Sequence, residues 1–132
     1  MEKAVEVFAV VHFLTIGLSH IFQPRVWARF FILLREKGDP GVFFVGFLSL
    51  GFGSIVVSFH NVWSGVPAVL TVLGWGQVLK GLIYLVAPGV GLRKLGWVTE
   101  DKAARFVWPG VALVVLALLL VYHLVFVDPG AW

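Results

Sequence analysis

The chain contains no cysteine. That excludes disulfides, thiol nucleophiles and thiolate metal sites, while leaving the compartment open. Charge is also scarce. Asp, Glu, Lys and Arg together make up 13% of the 132 residues, about half the 25% usual in a soluble domain. Apolar residues reach 60%, and mean hydropathy is +0.98. Such a chain has too little polar surface to fold in water, so the bilayer is its expected solvent. No soluble basic domain is present, and nucleic acid is not an expected partner. Short alternating segments of about 10 residues, the mark of an outer-membrane barrel, are missing as well.

What is present is four long apolar runs. A membrane span needs roughly 20 mainly apolar residues, and residues 4–22, 41–59, 66–87 and 107–127 supply them. Lipid cannot satisfy open backbone groups, so these runs are expected to be helices. The fold class is an all-α membrane protein. It is a four-transmembrane-helix bundle occupying residues 1–132 as one domain.

Basic residues set the expected topology. The loop between spans one and two holds Arg25, Arg29, Arg35 and Lys37, and that between spans three and four holds Arg93, Lys94, Lys102 and Arg105. The connection His60–Gly65 holds no Lys or Arg. The positive-inside rule then makes loops 23–40 and 88–106 cytoplasmic and both termini external. Met-Glu-Lys at the start, without a small-residue cleavage pattern, does not resemble a cleavable signal, so the first helix is expected to remain.

The first basic loop reads as an amphipathic interfacial helix. Pro24 suits its first position. Val26, Trp27, Phe30, Phe31 and Leu34 form an apolar stripe opposite Arg25, Arg29 and Glu36. Gly38 is expected to stop it. In the second basic loop, Thr99 followed by Glu100 and Asp101 reads as a helix N-cap with acids in the first turn. The two halves also match weakly. Gly17–Pro24 aligns with Gly81–Pro88, and Pro40-Gly41-Val42 and Pro109-Gly110-Val111 both open spans. Two duplicated helix hairpins in parallel orientation would explain this.

Lys80 is the one charge well inside a span. Ionisable groups at membrane depth are expensive and mark functional or packing sites. Lys80 lies about seven residues from the basic end of its span, within reach of a snorkelling stem. The alternative is contact with an anion, a lipid headgroup or a neighbouring subunit, together with Gln77 and Tyr84. Gly74, Gln77, Gly81 and Tyr84 form a small and polar helix face, and span two carries Gly46, Ser49, Gly51, Gly53, Ser54 and Ser58. Both faces suit close helix packing.

Three histidines, His12, His60 and His123, fall in the outer half. Neutral imidazole is a common metal ligand, and facing histidines in a bundle can hold a metal or haem. Neither His-x-x-x-His nor Glu-x-x-His spacing occurs, so these are weak metal candidates and no cofactor is expected. His60, Asn61 and Trp63 are expected either to turn the chain and anchor it at the outer interface or to form a small external recognition site.

The pattern His60-Asn61-x-Trp63, then Gly74-Trp75, then Lys80-Gly81 resembles small uncharacterised bacterial four-span integral membrane proteins. The resemblance covers about residues 24–88. It implies a multi-pass protein of the bacterial inner membrane and carries no activity, so it assigns no functional residues.

Four functions remain open on the sequence. The first is a small accessory or assembly protein that packs against itself, as a homo-oligomer, or against a larger membrane complex. The second is an oligomeric transporter or channel for a small solute, anion or lipid, with Lys80 facing an anionic headgroup. The third is a haem- or metal-binding redox protein. The fourth is an enzyme acting on lipid, for which no nucleophile–base pair offers support.

Overall fold

The structure, a computed structural model, describes residues 1–130. It contains six α-helices: α1 (Glu2–Phe22), α2 (Pro24–Glu36), α3 (Asp39–Phe59), α4 (Pro67–Val86), α5 (Pro88–Leu95) and α6 (Val107–Tyr122). A 3-10 segment, Glu100–Phe106, runs into α6, and a π-helical turn, His123–Val127, extends it. Four helices are long and apolar enough to cross a membrane. The protein is therefore an all-α, multi-pass membrane protein built as a four-helix bundle.

Proline sets the starts of the elements. Pro24, Pro40, Pro67 and Pro88 occupy first-turn positions of α2, α3, α4 and α5, where the missing N–H has no helical partner to lose. Pro109 likewise sits in the first turn of α6, just after the 3-10 segment. Gly38 ends α2 with φ of 68°, a left-handed conformation that glycine adopts without a Cβ clash. Thr99 stands at the expected N-cap, but its side chain makes no capping bond and the segment it opens is 3-10 rather than α.

The spans pack as two antiparallel pairs, α3 with α4 and α1 with α6. Glycines bring each pair together. A Cβ on Gly17 would lie 2.8 Å from the Gly110 carbonyl oxygen, and one on Gly110 would lie 2.7 Å from that of Gly17. In the other pair, a Cβ on Gly81 would lie 2.9 Å from the Gly46 oxygen and 2.7 Å from Leu50 Cβ. These small-residue faces do mediate close helix packing, and they do so within one chain.

The two contacts are related by the internal repeat. Gly17 and Gly81 are sixty-four residues apart, and so are Gly46 and Gly110. The breaks after α1 and α4 share that spacing and the same backbone shape: Gln23 has φ −128° and ψ 49°, Ala87 φ −131° and ψ 70°. Each half runs span, proline, short interfacial helix, span. The tight pairs form between halves rather than within them. The structure also equates Gly110 with Gly46, not with Gly41 as the Pro-Gly-Val match suggested. Gly41 instead packs against the Leu34 carbonyl of α2.

Two apolar clusters fill the interior. Val5, Ala9, Phe13, Val56, Leu70, Leu116, Ala117 and Leu120 join all four spans. Leu34, Val42, Val45, Tyr84 and Leu95, with Phe30, Phe31 and Leu92 beside them, join α2 to α3, α4 and α5. The stripe of α2 thus packs largely on protein, while Val26 stays exposed. Trp27, expected at the interface, stacks on His20 at 4.0 Å and donates from Nε1 to Ser19 Oγ at 2.8 Å. Trp97 and Trp108 are exposed at the same end.

That end carries both basic loops, cross-tied by two arginines. Arg35 donates to the carbonyls of Leu95 (3.1 Å) and Val98 (2.9 Å), fixing α2 to the end of α5. Arg29 pairs with Glu100 at 3.1 Å, though both are exposed, so that pair contributes little. At the opposite end Lys3 binds the carbonyls of Asp128 and Gly130 and pairs with the Asp128 carboxylate at 3.3 Å.

Candidate functional site

Three buried polar side chains from three helices meet at the end opposite the basic loops. Glu6 lies on the inward face of α1 with Val5, Ala9 and Phe13. His60 follows the last residue of α3, with its backbone extended and its N–H still bonded to the Val56 carbonyl. Thr71 lies one turn into α4 beside Leu70. His60 and Thr71 are fully buried, and Glu6 is 4% exposed.

Their contacts form a directed chain. Thr71 Oγ1 donates to the Val62 carbonyl at 2.6 Å. His60 Nδ1 lies 3.0 Å from Thr71 Oγ1, and His60 Nε2 lies 3.3 Å from Glu6 Oε1. A hydroxyl has one proton. Since Thr71 gives it to Val62, it accepts from His60, and Nδ1 must carry hydrogen. Glu6 Oε2 is buried with no hydrogen-bond partner.

This arrangement corrects the expected outer recognition site of His60, Asn61 and Trp63. His60 faces the core and cannot touch an external ligand. Asn61 and Trp63 are exposed, and Trp63 Nε1 donates to Asn61 Oδ1 at 2.7 Å, which closes the turn. Glu6, about one turn from the start of α1, is buried. The sequence did hold a signal for it: Glu6 shares a helical face with Ala9, Phe13 and Gly17, a position that points inward.

The metal candidates do not converge. Among the described residues, no three His, Asp or Glu side chains form a ligand group. His12 is half-buried and stacks on Phe52 at 5.0 Å. His60 is bonded as above. His123 begins the π-helical turn on α6 and is half-buried. His20, at the basic end, has Nδ1 2.8 Å from the Ile16 carbonyl.

Lys80, Gln77 and Tyr84 do lie together on α4, far from the Glu6 group. Lys80 and Gln77 are half-buried and Tyr84 is buried. The Lys80 ammonium stands 5.5 Å from the Tyr84 ring centroid, a cation–π contact one helical turn away. Among the described residues no carboxylate reaches ion-pair distance of Lys80. Lys94 of α5 is close enough to act on it through space.

Two surface grooves lie near the basic end. Asp39, Pro40, Phe43, Phe44 and Phe47 of α3 line one of about 440 Å³. Ser19, Val26, Trp27 and Phe30 line one of about 280 Å³. Both are open troughs. No protein-family model, no curated protein and no solved structure matches the chain.

Proposed function

We propose that this is a small accessory or assembly protein of the bacterial inner membrane, working by helix packing within an oligomer or a larger membrane complex. One observation carries the reading. The close glycine faces and core clusters are used up inside the chain, whereas the aromatic ridge Phe43, Phe44 and Phe47 stands exposed beside a groove. The interior is filled by apolar side chains, which suits a packing module better than a passage. The basic residues of α2, α5 and the 3-10 segment support a cytoplasmic position for that end and an external one for the chain ends.

Purification in mild detergent or native nanodiscs, with mass measured by light scattering, tests this. An assembly larger than one chain plus its lipid, or a stoichiometric co-purifying membrane protein, is expected. A monomer free of any partner under both conditions contradicts the reading.

Lys80 favours a second role for the same protein, contact with an anionic lipid headgroup. A half-buried ammonium with Lys94 nearby and no carboxylate within reach attracts an anion. Native mass spectrometry should show anionic lipid retained by the wild type in preference to zwitterionic lipid, and lost in Lys80→Ala. Equal retention by both proteins contradicts it.

A further inference from the structure

We infer that Glu6, His60 and Thr71 form a binding site for a single proton, enclosed between α1, α3 and α4. Hydrogen-bond direction supplies the argument. Thr71 spends its only proton on Val62 and so receives one from His60 Nδ1. With Nδ1 protonated, a neutral imidazole offers only a lone pair at Nε2. Opposite that lone pair, at 3.3 Å, stands Glu6 Oε1. An ionised carboxylate there would set two acceptors against each other in a buried site. The contact needs one proton between Nε2 and Oε1.

That proton can sit on either side. On oxygen it makes a carboxylic acid donating to a neutral imidazole. On nitrogen it makes an imidazolium paired with a carboxylate. Both forms carry zero net charge and the same proton count, and transfer between them moves one proton along one hydrogen bond.

Several features separate this from an ordinary interhelical bond. The imidazole is completely enclosed, and Thr71 fixes its tautomer. Glu6 Oε2 is buried and has no hydrogen-bond partner among the described residues. The other titratable groups at this end of the described residues are the Met1 amine, Glu2, Lys3, His12, Tyr122, His123 and Asp128. Lys3 and Asp128 pair with each other, and His12 stacks on Phe52. Among the described residues, Glu6 is the one carboxylate at ion-pair distance from His60. The internal repeat gives no second copy: sixty-four residues on, Glu6 becomes Leu70 and His60 becomes Leu124, both buried and apolar.

Nitrogen-15 spectra of histidine-labelled protein in nanodiscs at pH 8 test the site. The His60 signals are identified by their displacement in Thr71→Val. In the wild type, Nδ1 should be protonated, and Nε2 should show a proton shared with a carboxyl. Glu6→Gln supplies an amide donor that imitates the protonated acid. In that variant Nδ1 should stay protonated while Nε2 becomes a plain acceptor, unchanged between pH 6 and pH 8. A wild-type His60 protonated at Nε2 alone would overturn the inference. So would Nε2 signals at pH 8 that match a free lone pair in the wild type. Thr71→Ser, which keeps the hydroxyl, should restore the wild-type pattern, and failure to do so would count against the Thr71 assignment.

Discussion

At the scale of single residues, the most consequential side chains are those whose partners are fixed by burial. Thr71→Val removes the acceptor for His60 Nδ1 and the donor to Val62, leaving the buried imidazole N–H unsatisfied. A loss of about 1–3 kcal/mol is expected from that stranded group, read from denaturation of the detergent-solubilised protein. Glu6→Gln should cost less than Glu6→Ala, because the amide still donates to Nε2. In the sequence, Glu6 and His60 are both visible, but their pairing is not. It depends on the tilt of α1 against the end of α3, which no local pattern encodes.

At the scale of elements, the glycine contacts decide which helices pair. Gly17 and Gly81 occupy equivalent places in the two halves, each against the backbone of an antiparallel neighbour. Gly17→Ala and Gly81→Ala are both expected to destabilise, by about 1–3 kcal/mol each. Gly51→Ala and Gly76→Ala should be nearly silent, since a Cβ at either meets nothing within 4 Å. Comparable losses at all four positions would mean that generic helix effects outweigh the close contacts. The spans themselves were plain from hydropathy, and the helix starts from proline. Which small residues face inward was only half legible. Gly46, Gly53, Gly74 and Gly81 lie inside the α3–α4 pair, but Gly51 belongs to the same sequence pattern and, like Gly76, points outward. The pairing of α1 with α6 joins residues more than ninety positions apart, beyond the range of any helical period. Arg35 gives a further check. Arg35→Met keeps the apolar stem and removes the bonds to Leu95 and Val98, so α5 should exchange its amide hydrogens faster while the spans remain protected.

At the scale of the whole molecule, two similar halves interlock through paired spans, with polar chemistry divided between the ends. The basic end holds Lys80, both basic loops and the two grooves. The opposite end holds the proton site and the Asn61–Trp63 turn. The positive-inside argument orients this arrangement, and the cysteine-free background makes it easy to probe. Trp63→Cys should react with a membrane-impermeant thiol reagent added outside intact cells. Lys37→Cys should react only after the membrane is opened. The reverse pattern would invert the topology without altering the bundle.

Assembly through the exposed ridge of α3 is the central functional claim, and cross-linking in native membranes tests it most directly. Phe47 is exposed on that ridge, whereas Leu120 is fully buried. Phe47→Cys should form a disulfide-linked homodimer, or a link through a bifunctional thiol–amine reagent to a distinct membrane protein, and Leu120→Cys should form neither. Phe47→Cys that remains entirely uncross-linked at native expression, in protein shown to be folded, would contradict the account.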